Sequence, residues 1–204
     1  LKEEYGEEVH VMAGNVASRE AYERLSDWGA DSVRVGIGGG SICSTRIQTG
    51  HGCPTFQSVW DCSQSEYNTT IVADGGIKTS GDIVKALAAG ADFVMLGSLL
   101  AGTTETPGEL FESKRGKKYK VYRGMASKEA QKDWRGTHSS NEGISTTVPF
   151  RGSVGDVLED LENGIRSGLS YSGARTVYDL QSKAQFVRQT GAGQIESSTH
   201  ILRR

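Results

Sequence analysis

Residues 70–76 of the chain read TIVADGG, an apolar and largely β-branched run that ends in an aspartate and two glycines. Three further runs, at 9–13, 32–35 and 93–96, are each followed directly by a glycine. Continuous apolar runs such as TIVA and FVML are what strands buried on both faces of a parallel sheet require. The four runs therefore predict parallel strands whose C-terminal ends carry the ligand-contacting residues.

Helix patterns lie between these strands. Ser18 is placed to cap REAYERLSDWG, with Gly29 as its stop, and Ser80 to cap GDIVKALAAG, with Gly90 as its stop. Strict alternation of strand and helix is typical of a (β/α)8 barrel or a doubly wound sheet. A complete barrel takes about 250 residues, so we interpret the chain as the C-terminal half of a barrel, about strands five to eight. The start at Leu1 agrees with missing N-terminal sequence.

The sequence changes character after the fourth strand. Residues 114–145 are polar and include a hairpin candidate, KKYKVYRG after the turn SKRG, and a segment of this length is typical of a lid or binding loop. Residues 154–169 are amphipathic and predict the last barrel helix. We therefore divide one catalytic barrel domain into 1–113 (β/α units with the catalytic loop), 114–152 (hairpin and flap) and 153–204 (last helix and C-terminal tail).

Composition excludes several classes of function. The 204 residues carry 23 Lys+Arg against 25 Asp+Glu, and the only basic cluster, Lys114 to Lys120, is too short for a dedicated nucleic-acid binder. No apolar window reaches the length of about 20 residues that a membrane helix needs, and no signal peptide is evident. We expect a cytoplasmic protein with small-molecule partners. The three cysteines and four histidines show neither disulfide nor zinc-site spacing.

The most reactive candidate is Cys43, in the loop GIGGGSICSTR at 36–46. Glycines 38–40 let this loop turn tightly and offer backbone groups to a ligand or ion, and such a loop can hold a reactive thiol. A small buried hydrophobe is the alternative for Cys43, and we assign that structural role to Cys53 and Cys62.

Two further features could carry chemistry. The first is a polar, glycine-rich cluster at the ends of two successive strands, formed by Asp74, Gly75, Gly76, Gly97 and Ser98. A carboxylate there can bind ribose, and the glycines admit a phosphate. An ordinary Asp-Gly turn is the alternative. Glu142 lies in the polar excursion and is either a general acid or base on a closing loop or a solvated surface group.

Taken together, the motifs resemble those of the IMP dehydrogenase/GMP reductase family. They are, in order, GNV at 14–16, GIGGGSICSTR at 36–46, ADGG at 73–76, LGSLLAGT at 96–103, YRGM at 122–125 and EG at 142–143. The resemblance implies a (β/α)8 barrel that assembles as a homotetramer and oxidises or reduces purine nucleotides with a nicotinamide cofactor.

The resemblance also implies residue roles. Cys43 would attack purine C2, with Thr45 and Glu142 relaying protons. The GMP or IMP nucleotide would be bound by Ser41, Asp74, Gly75, Gly76, Gly97, Ser98, Tyr122, Gly124, Met125 and Gly143. Asn15 and Gly36 would face the cofactor. A potassium ion would be held by carbonyls of Gly38, Gly40 and Cys43, and by Glu196, Ser197 and Ser198 from a neighbouring subunit.

The flap separates the family's two activities. Only 14 residues, KEAQKDWRGTHSSN at 128–141, separate Ser127 from Glu142, and they lack the adjacent Arg-Tyr pair with which the dehydrogenases activate water. This favours GMP reductase with NADPH as cofactor. The alternative is an IMP dehydrogenase with NAD. It is favoured by the motif YRGM, by the tail KAQFVRQTGAGQIESSTH, and by Ser139, which stands where many reductases have an arginine. A non-catalytic nucleotide-binding protein is the third possibility.

Overall fold

The structure of the chain is a computed structural model that describes residues 1–139 and 141–199. Its first half alternates strands and helices: α1 Lys2–Tyr5, a 3-10 turn Gly6–Glu8, β1 Met12–Val16, α2 Arg19–Asp27, β2 Ser32–Val35, α3 Thr45–Thr49, α4 Thr55–Ser63, β3 Thr70–Asp74, α5 Ser80–Ala88 and β4 Phe93–Met95. The second half contains β5 Leu110–Glu112, β6 Lys118–Arg123, α6 Lys128–Arg135, β7 Ser145–Pro149, α7 Val154–Tyr171, α8 Val177–Lys183 and α9 Gly191–Glu196.

The first four strands form one parallel sheet in the order β1-β2-β3-β4. The prediction of parallel β/α units is therefore confirmed. Helices α2, α4 and α5 pack on the sheet, and α7 and α8 pack on α5. The core between these elements contains fully buried Val33, Val35, Val59 and Ala73 together with Tyr22 and Leu180. Because the strands are parallel, their C-terminal ends meet at one edge of the sheet.

The prediction for β1 was wrong by three residues. The strand runs from Met12 to Val16 rather than over 9–13, because Asp31 fixes the register: its carboxylate accepts a hydrogen bond from the Val11 amide at 2.6 Å, and pairing with β2 begins at the next residue. Gly14 lies inside the strand, where an added Cβ would be 2.7 Å from the carbonyl oxygen of Arg34. The glycine thus permits close strand approach rather than ending the strand.

Two helix boundaries also differ from the sequence pattern. Thr79, not Ser80, caps α5: its hydroxyl accepts from the Asp82 amide, and the Asp82 carboxylate accepts from the Thr79 amide, which forms a capping box. Helix α7 runs from Val154 to Tyr171, two residues beyond the predicted 154–169, and the C-terminal region after it contains α8 and α9, the latter capped by Thr190.

The polar excursion forms a second, antiparallel sheet in the order β5-β6-β7. The hairpin predicted at its start is confirmed as β5 and β6. Helix α6 is capped at its start by the Ser127 hydroxyl and at its end by Gly136, which has the left-handed conformation. Within the described residues, no helix combines the length and apolar character needed to cross a membrane.

Candidate functional site

A continuous hydrogen-bonded path joins the three residues predicted to be catalytic. The Cys43 thiol donates to Thr45 Oγ1 over 3.1 Å, and the Thr45 hydroxyl donates to Glu142 Oε2 over 2.6 Å. All three side chains are half-buried, and Glu142 is 97 residues from Thr45 in sequence. The fold therefore connects a thiol to a carboxylate through one hydroxyl, which is the arrangement that a nucleophile and its proton acceptor need.

A short backbone ladder holds Glu142 in this position. The amide of buried Ser44 donates to the Glu142 carbonyl at 2.7 Å, and the Ser44 hydroxyl donates to the Asn141 carbonyl at 3.0 Å. One step further along, the Ile144 amide donates to the Ile42 carbonyl at 3.0 Å. This ladder, formed by residues 42–44 and 141–144, attaches the end of the flap to the catalytic loop.

The ladder requires a glycine at position 143. Gly143 forms an antiparallel bridge with Cys43, and a Cβ added to it would lie 2.7 Å from the Ser127 amide nitrogen. Such a distance is below any ordinary contact, so a larger residue would push the flap base away from the catalytic loop. Gly143 was predicted to touch the nucleotide, and its close packing on Ser127 supplies a structural reason for the glycine.

Seven of the ten predicted nucleotide-binding residues line one cleft of about 220 Å³ at the C-terminal ends of β3 and β4. These are Ser41, Asp74, Gly75, Gly76, Gly97, Ser98 and Tyr122. The glycines leave main-chain groups accessible, which suits a phosphate. Lys78 also lines the cleft and adds a positive charge. Lys78 was not predicted as a site residue, although its place four residues after Asp74 was a usable signal.

The remaining three predicted nucleotide residues lie next to that cleft. Gly124 packs near Ile42, since a Cβ added to it would be 3.5 Å from the Ile42 side chain. Met125 is exposed and, with Tyr122 and Trp134, lines a wider cleft of about 1180 Å³. Tyr122 thus belongs to both clefts. Gly143 lies in the ladder beside Cys43, and Gly124 is close to both Gly143 and Ile42.

A polar network connects β1, β2 and β3 at the same edge of the sheet. The Asp74 Oδ2 atom accepts from Asn15 Nδ2 and from Arg34 Nη2, each at 2.7 Å, and Asn15 Nδ2 also donates to the Gly36 carbonyl at 2.8 Å. Asp74 therefore has Oδ1 available for a ligand hydroxyl. Arg34 was not predicted as a site residue, although a lone charge in the strand SVRV was a signal for it.

Gly36 has a clear packing role beside its predicted cofactor role. A Cβ at this position would lie 2.0 Å from the Asp74 carbonyl oxygen. Only glycine allows β2 to approach the end of β3 so closely. Asn15 uses its side-chain amide nitrogen within the protein, so its carbonyl oxygen is the group it can offer to a nicotinamide cofactor.

The predicted potassium ligands in the loop fit a hard cation. Gly38 has a positive φ of 76°, and a Cβ there would lie 2.6 Å from the Arg46 side chain. The Gly40 carbonyl accepts from the Cys43 amide at 3.1 Å, which makes a tight turn in the loop. The predicted ligand atoms in this loop are backbone carbonyl oxygens, which are ligands that a hard cation prefers. Glu196, Ser197 and Ser198 lie at the end of α9, where Glu196 and Ser197 are exposed. Over the described residues, no cluster of three histidine, cysteine or acidic side chains forms a further metal site.

The other two cysteines have different environments. Cys62 is fully buried on α4, and burial, with a smaller effect of Asp61, raises the pKa of its thiol to about 12. It is therefore protonated and unreactive at neutral pH. Cys53 is exposed in the turn before α4, so the buried structural role predicted for it was wrong.

Known proteins match this arrangement over almost the whole chain. A family model described as the IMP dehydrogenase / GMP reductase domain matches residues 1–200. The chain belongs to the IMP dehydrogenase/GMP reductase family. Its members are NAD(P)-dependent oxidoreductases built on a (β/α)8 barrel, so the four parallel strands are an arc of that barrel and the predicted fold class is confirmed.

Relatives of both names are similar to the chain. It is 50% identical to an inosine-5'-monophosphate dehydrogenase from Aquifex aeolicus over 204 residues, covering 95% of this chain and 41% of that protein. It is 45% identical to a GMP reductase from Leishmania major, covering 95% of this chain and 42% of that protein. The chain thus spans well under half the length of the curated relatives it matches.

A solved structure is similar in fold as well as in sequence. It is a cysteine-to-alanine variant of GMP reductase from Trypanosoma brucei in complex with guanosine 5'-monophosphate. The TM-score is 0.91 at 43% identity, covering 98% of this chain and 43% of that one.

Proposed function

We propose that this chain is part of a GMP reductase, which converts GMP and NADPH to IMP, ammonia and NADP. The observation that carries the proposal is the path from the Cys43 thiol through Thr45 to Glu142, beside a cleft suited to a nucleotide phosphate and ribose. A pure binding site needs no such path. The short flap then selects reduction over hydrolysis.

The path accounts for the first half of the reaction. Cys43 adds through its sulfur to purine C2, and its proton passes by way of the Thr45 hydroxyl to Glu142. The protonated Glu142 then gives a proton to the amino group on C2, the C2–N bond breaks, and ammonia leaves. The purine stays bound to Cys43 through a C2–S bond. The 2.6 Å contact between Thr45 and Glu142 is short enough for direct proton transfer.

The second half needs a hydride, which is the chemistry that NADPH supplies when bound. Asn15 and Gly36 are the residues proposed to face it. Once C2 is reduced, the C2–S bond breaks, and Cys43 is released as a thiolate that takes up a proton from solvent by way of Glu142 and Thr45, because the first proton has left with ammonia. Water is not a nucleophile in this half of the reaction.

The nucleotide is held by the 220 Å³ cleft and its neighbours. Gly75, Gly76, Gly97 and Ser98 contact the phosphate, with Lys78 adding charge, and Asp74 accepts from the ribose. Tyr122 contacts the nucleotide from between the two clefts, and Gly124 and Met125 lie on the base side. Potassium, where bound, is held by carbonyls of Gly38, Gly40 and Cys43 and by Glu196, Ser197 and Ser198 of a neighbour in a cytoplasmic homotetramer. Its role is to fix the shape of the catalytic loop.

The flap supports reduction over water attack. Its helix α6 ends with Arg135 followed by Gly136, and the Arg135 guanidinium lies over the Trp134 ring, 4.3 Å from its centre. The flap sequence supplies no Arg-Tyr pair to activate water. A positioned base contributes roughly 100- to 10,000-fold to such a step, so hydrolysis of the Cys43 adduct should be slow.

IMP dehydrogenase is the second candidate. The motif YRGM, the tail from Lys183 to His200, and the 50% identity to a protein of that name favour it. Ser139, which replaces an arginine of many reductases, donates its backbone amide to the Gln131 side chain at 2.9 Å.

Absorbance at 340 nm in the intact enzyme separates the candidates. A fall with GMP and NADPH, accompanied by ammonia release, supports the reductase; a rise with IMP, NAD and potassium at a comparable rate overturns it in favour of the dehydrogenase. Cys43→Ala should abolish whichever activity is found, whereas Cys53→Ala, the matched change at the exposed cysteine, should retain it. Nucleotide binding without turnover under either cofactor would support the non-catalytic alternative.

A further inference from the structure

Lys120, on β6, is a buried charge outside the residues assigned so far. It is only 4% exposed. Its ammonium group donates to the carbonyl oxygens of Thr106 at 2.5 Å and Thr104 at 3.2 Å, and its third contact is Thr106 Oγ1 at 3.4 Å. A lysine is almost never this buried unless its donors are satisfied. Three acceptors for three ammonium hydrogens meet that condition.

The segment that Lys120 binds leads directly to the nucleotide cleft. Thr106 Oγ1 lies 3.1 Å from the Ala101 carbonyl oxygen and 2.8 Å from that of Thr103. The Ala101 amide in turn donates to the Gly97 carbonyl at 3.2 Å. The Lys120 ammonium is therefore linked, through Thr106 and the backbone of Ala101, to the turn that begins at Gly97 and Ser98.

A second connection returns from that turn to β6. Tyr122 is two residues after Lys120, so both side chains leave the same face of the strand. The Tyr122 hydroxyl lies against Gly97, where an added Cβ would be 2.9 Å from the hydroxyl oxygen. Both Tyr122 and Gly97 line the 220 Å³ cleft. Lys120 is therefore connected to Gly97 at the cleft by two routes, one through Thr106 and Ala101 and the other along β6 through Tyr122.

We propose that Lys120 is a positioning residue that sets the separation between Tyr122 and the Gly97–Ser98 turn, and so the affinity for the nucleotide. The inference rests on the proposed function, in which this cleft holds the nucleotide. Lys120 does not line the cleft itself, so it acts through Tyr122 and the turn. Its removal weakens binding more than it slows the chemistry at Cys43.

Lys120→Met in the intact enzyme tests this proposal, with Lys118→Met as the matched control. Lys118 is on the same face of β6 but is exposed. Loss of hydrogen bonds from a charged group predicts a rise of about tenfold in the calorimetric Kd for GMP and in its KM. We expect kcat of Lys120→Met at saturating GMP to stay within about threefold of that of the unmodified enzyme. For the control Lys118→Met, the Kd, KM and kcat should all stay within about twofold of the unmodified enzyme.

A merely structural role makes a different prediction. It would lower the melting temperature and leave the Kd of the folded variant unchanged, and that result would overturn the proposal. In a Tyr122→Phe background, Lys120→Met should weaken binding much less than it does alone, because the two residues act on one contact. Fully additive effects of the two substitutions on the Kd for GMP would also overturn the proposal.

Two further measurements keep the test decisive. If Lys120→Met does not fold, Thr106→Val removes only the hydroxyl link and should raise the Kd about threefold; an unchanged Kd refutes the proposal. Because binding is measured without cofactor, failure of the proposed function is seen separately, as an absence of turnover while GMP or IMP still binds.

Discussion

Replacing Thr45 with valine should break the proton path while preserving the shape of the site. Valine matches threonine in size but lacks the hydroxyl that accepts from Cys43 at 3.1 Å and donates to Glu142 at 2.6 Å. A hydrogen bond to a charged group is worth about 1.5–3 kcal/mol, and each 1.36 kcal/mol is about tenfold in rate. The bond to Glu142 alone therefore accounts for about 10- to 150-fold, within the range of about 100- to 10,000-fold for a positioned acid or base.

We expect kcat for ammonia release to fall about 100-fold in Thr45→Val. The KM for GMP should change by less than about threefold, because Thr45 does not line the nucleotide cleft. The assay is single-turnover release of ammonia with enzyme in excess over GMP. Thr49→Val, which removes an exposed hydroxyl one turn along α3, is the control and should retain the normal rate. A Thr45→Val enzyme with kcat within about threefold of normal would refute the proton path.

Three other predictions follow from single contacts. Gly97→Ala places a Cβ 2.9 Å from the Tyr122 hydroxyl and should raise the calorimetric Kd for GMP severalfold; an unchanged Kd would mean that the cleft is elsewhere. The Thr55 hydroxyl is buried without a hydrogen-bond partner among the described residues, so Thr55→Val should raise the free energy of unfolding by about 1 kcal/mol, measured by urea denaturation; a clear loss of stability would contradict this. Burial raises the pKa of Cys62 to about 12 from about 9 when unfolded, so its protonated thiol stabilises the fold fully below pH 9 and this contribution is lost as the pH rises towards 12. Urea midpoints should accordingly fall over that range, and Cys62→Ala, although less stable overall, should show a shallower decline.

The parallel strands and the catalytic residues could be predicted because their signals are local. Apolar runs ending in glycine mark β2, β3 and β4, and the loop around Cys43 is a contiguous motif. The position of β1 could not be read in this way, since its register depends on the bond between Asp31 and the Val11 amide. A glycine inside a strand looks the same in sequence as a glycine that ends one.

The partners of the two charged strand residues Arg34 and Lys120 could not be predicted from the sequence for a related reason. Arg34 pairs with Asp74, 40 residues away, and Lys120 binds a segment 14 to 16 residues earlier. A charged residue in a strand is ordinarily assigned to the solvent face. Only the three-dimensional arrangement shows that Lys120 has enough acceptors to be buried and that the half-buried Arg34 is paired with Asp74.

The ladder between residues 42–44 and 141–144 has a consequence for how the flap can vary. Ser127 and Asn141 are both anchored, the first as the cap of α6 and the second through Ser44. These two residues fix the ends of the flap, and doubling the length of a flexible loop between fixed ends costs only about 0.6 kcal/mol in closure entropy. A one-residue slip in the ladder would instead turn Glu142 to the opposite face. Long or short flaps with different chemistry can therefore be exchanged at little cost to folding, provided that the ladder keeps its register.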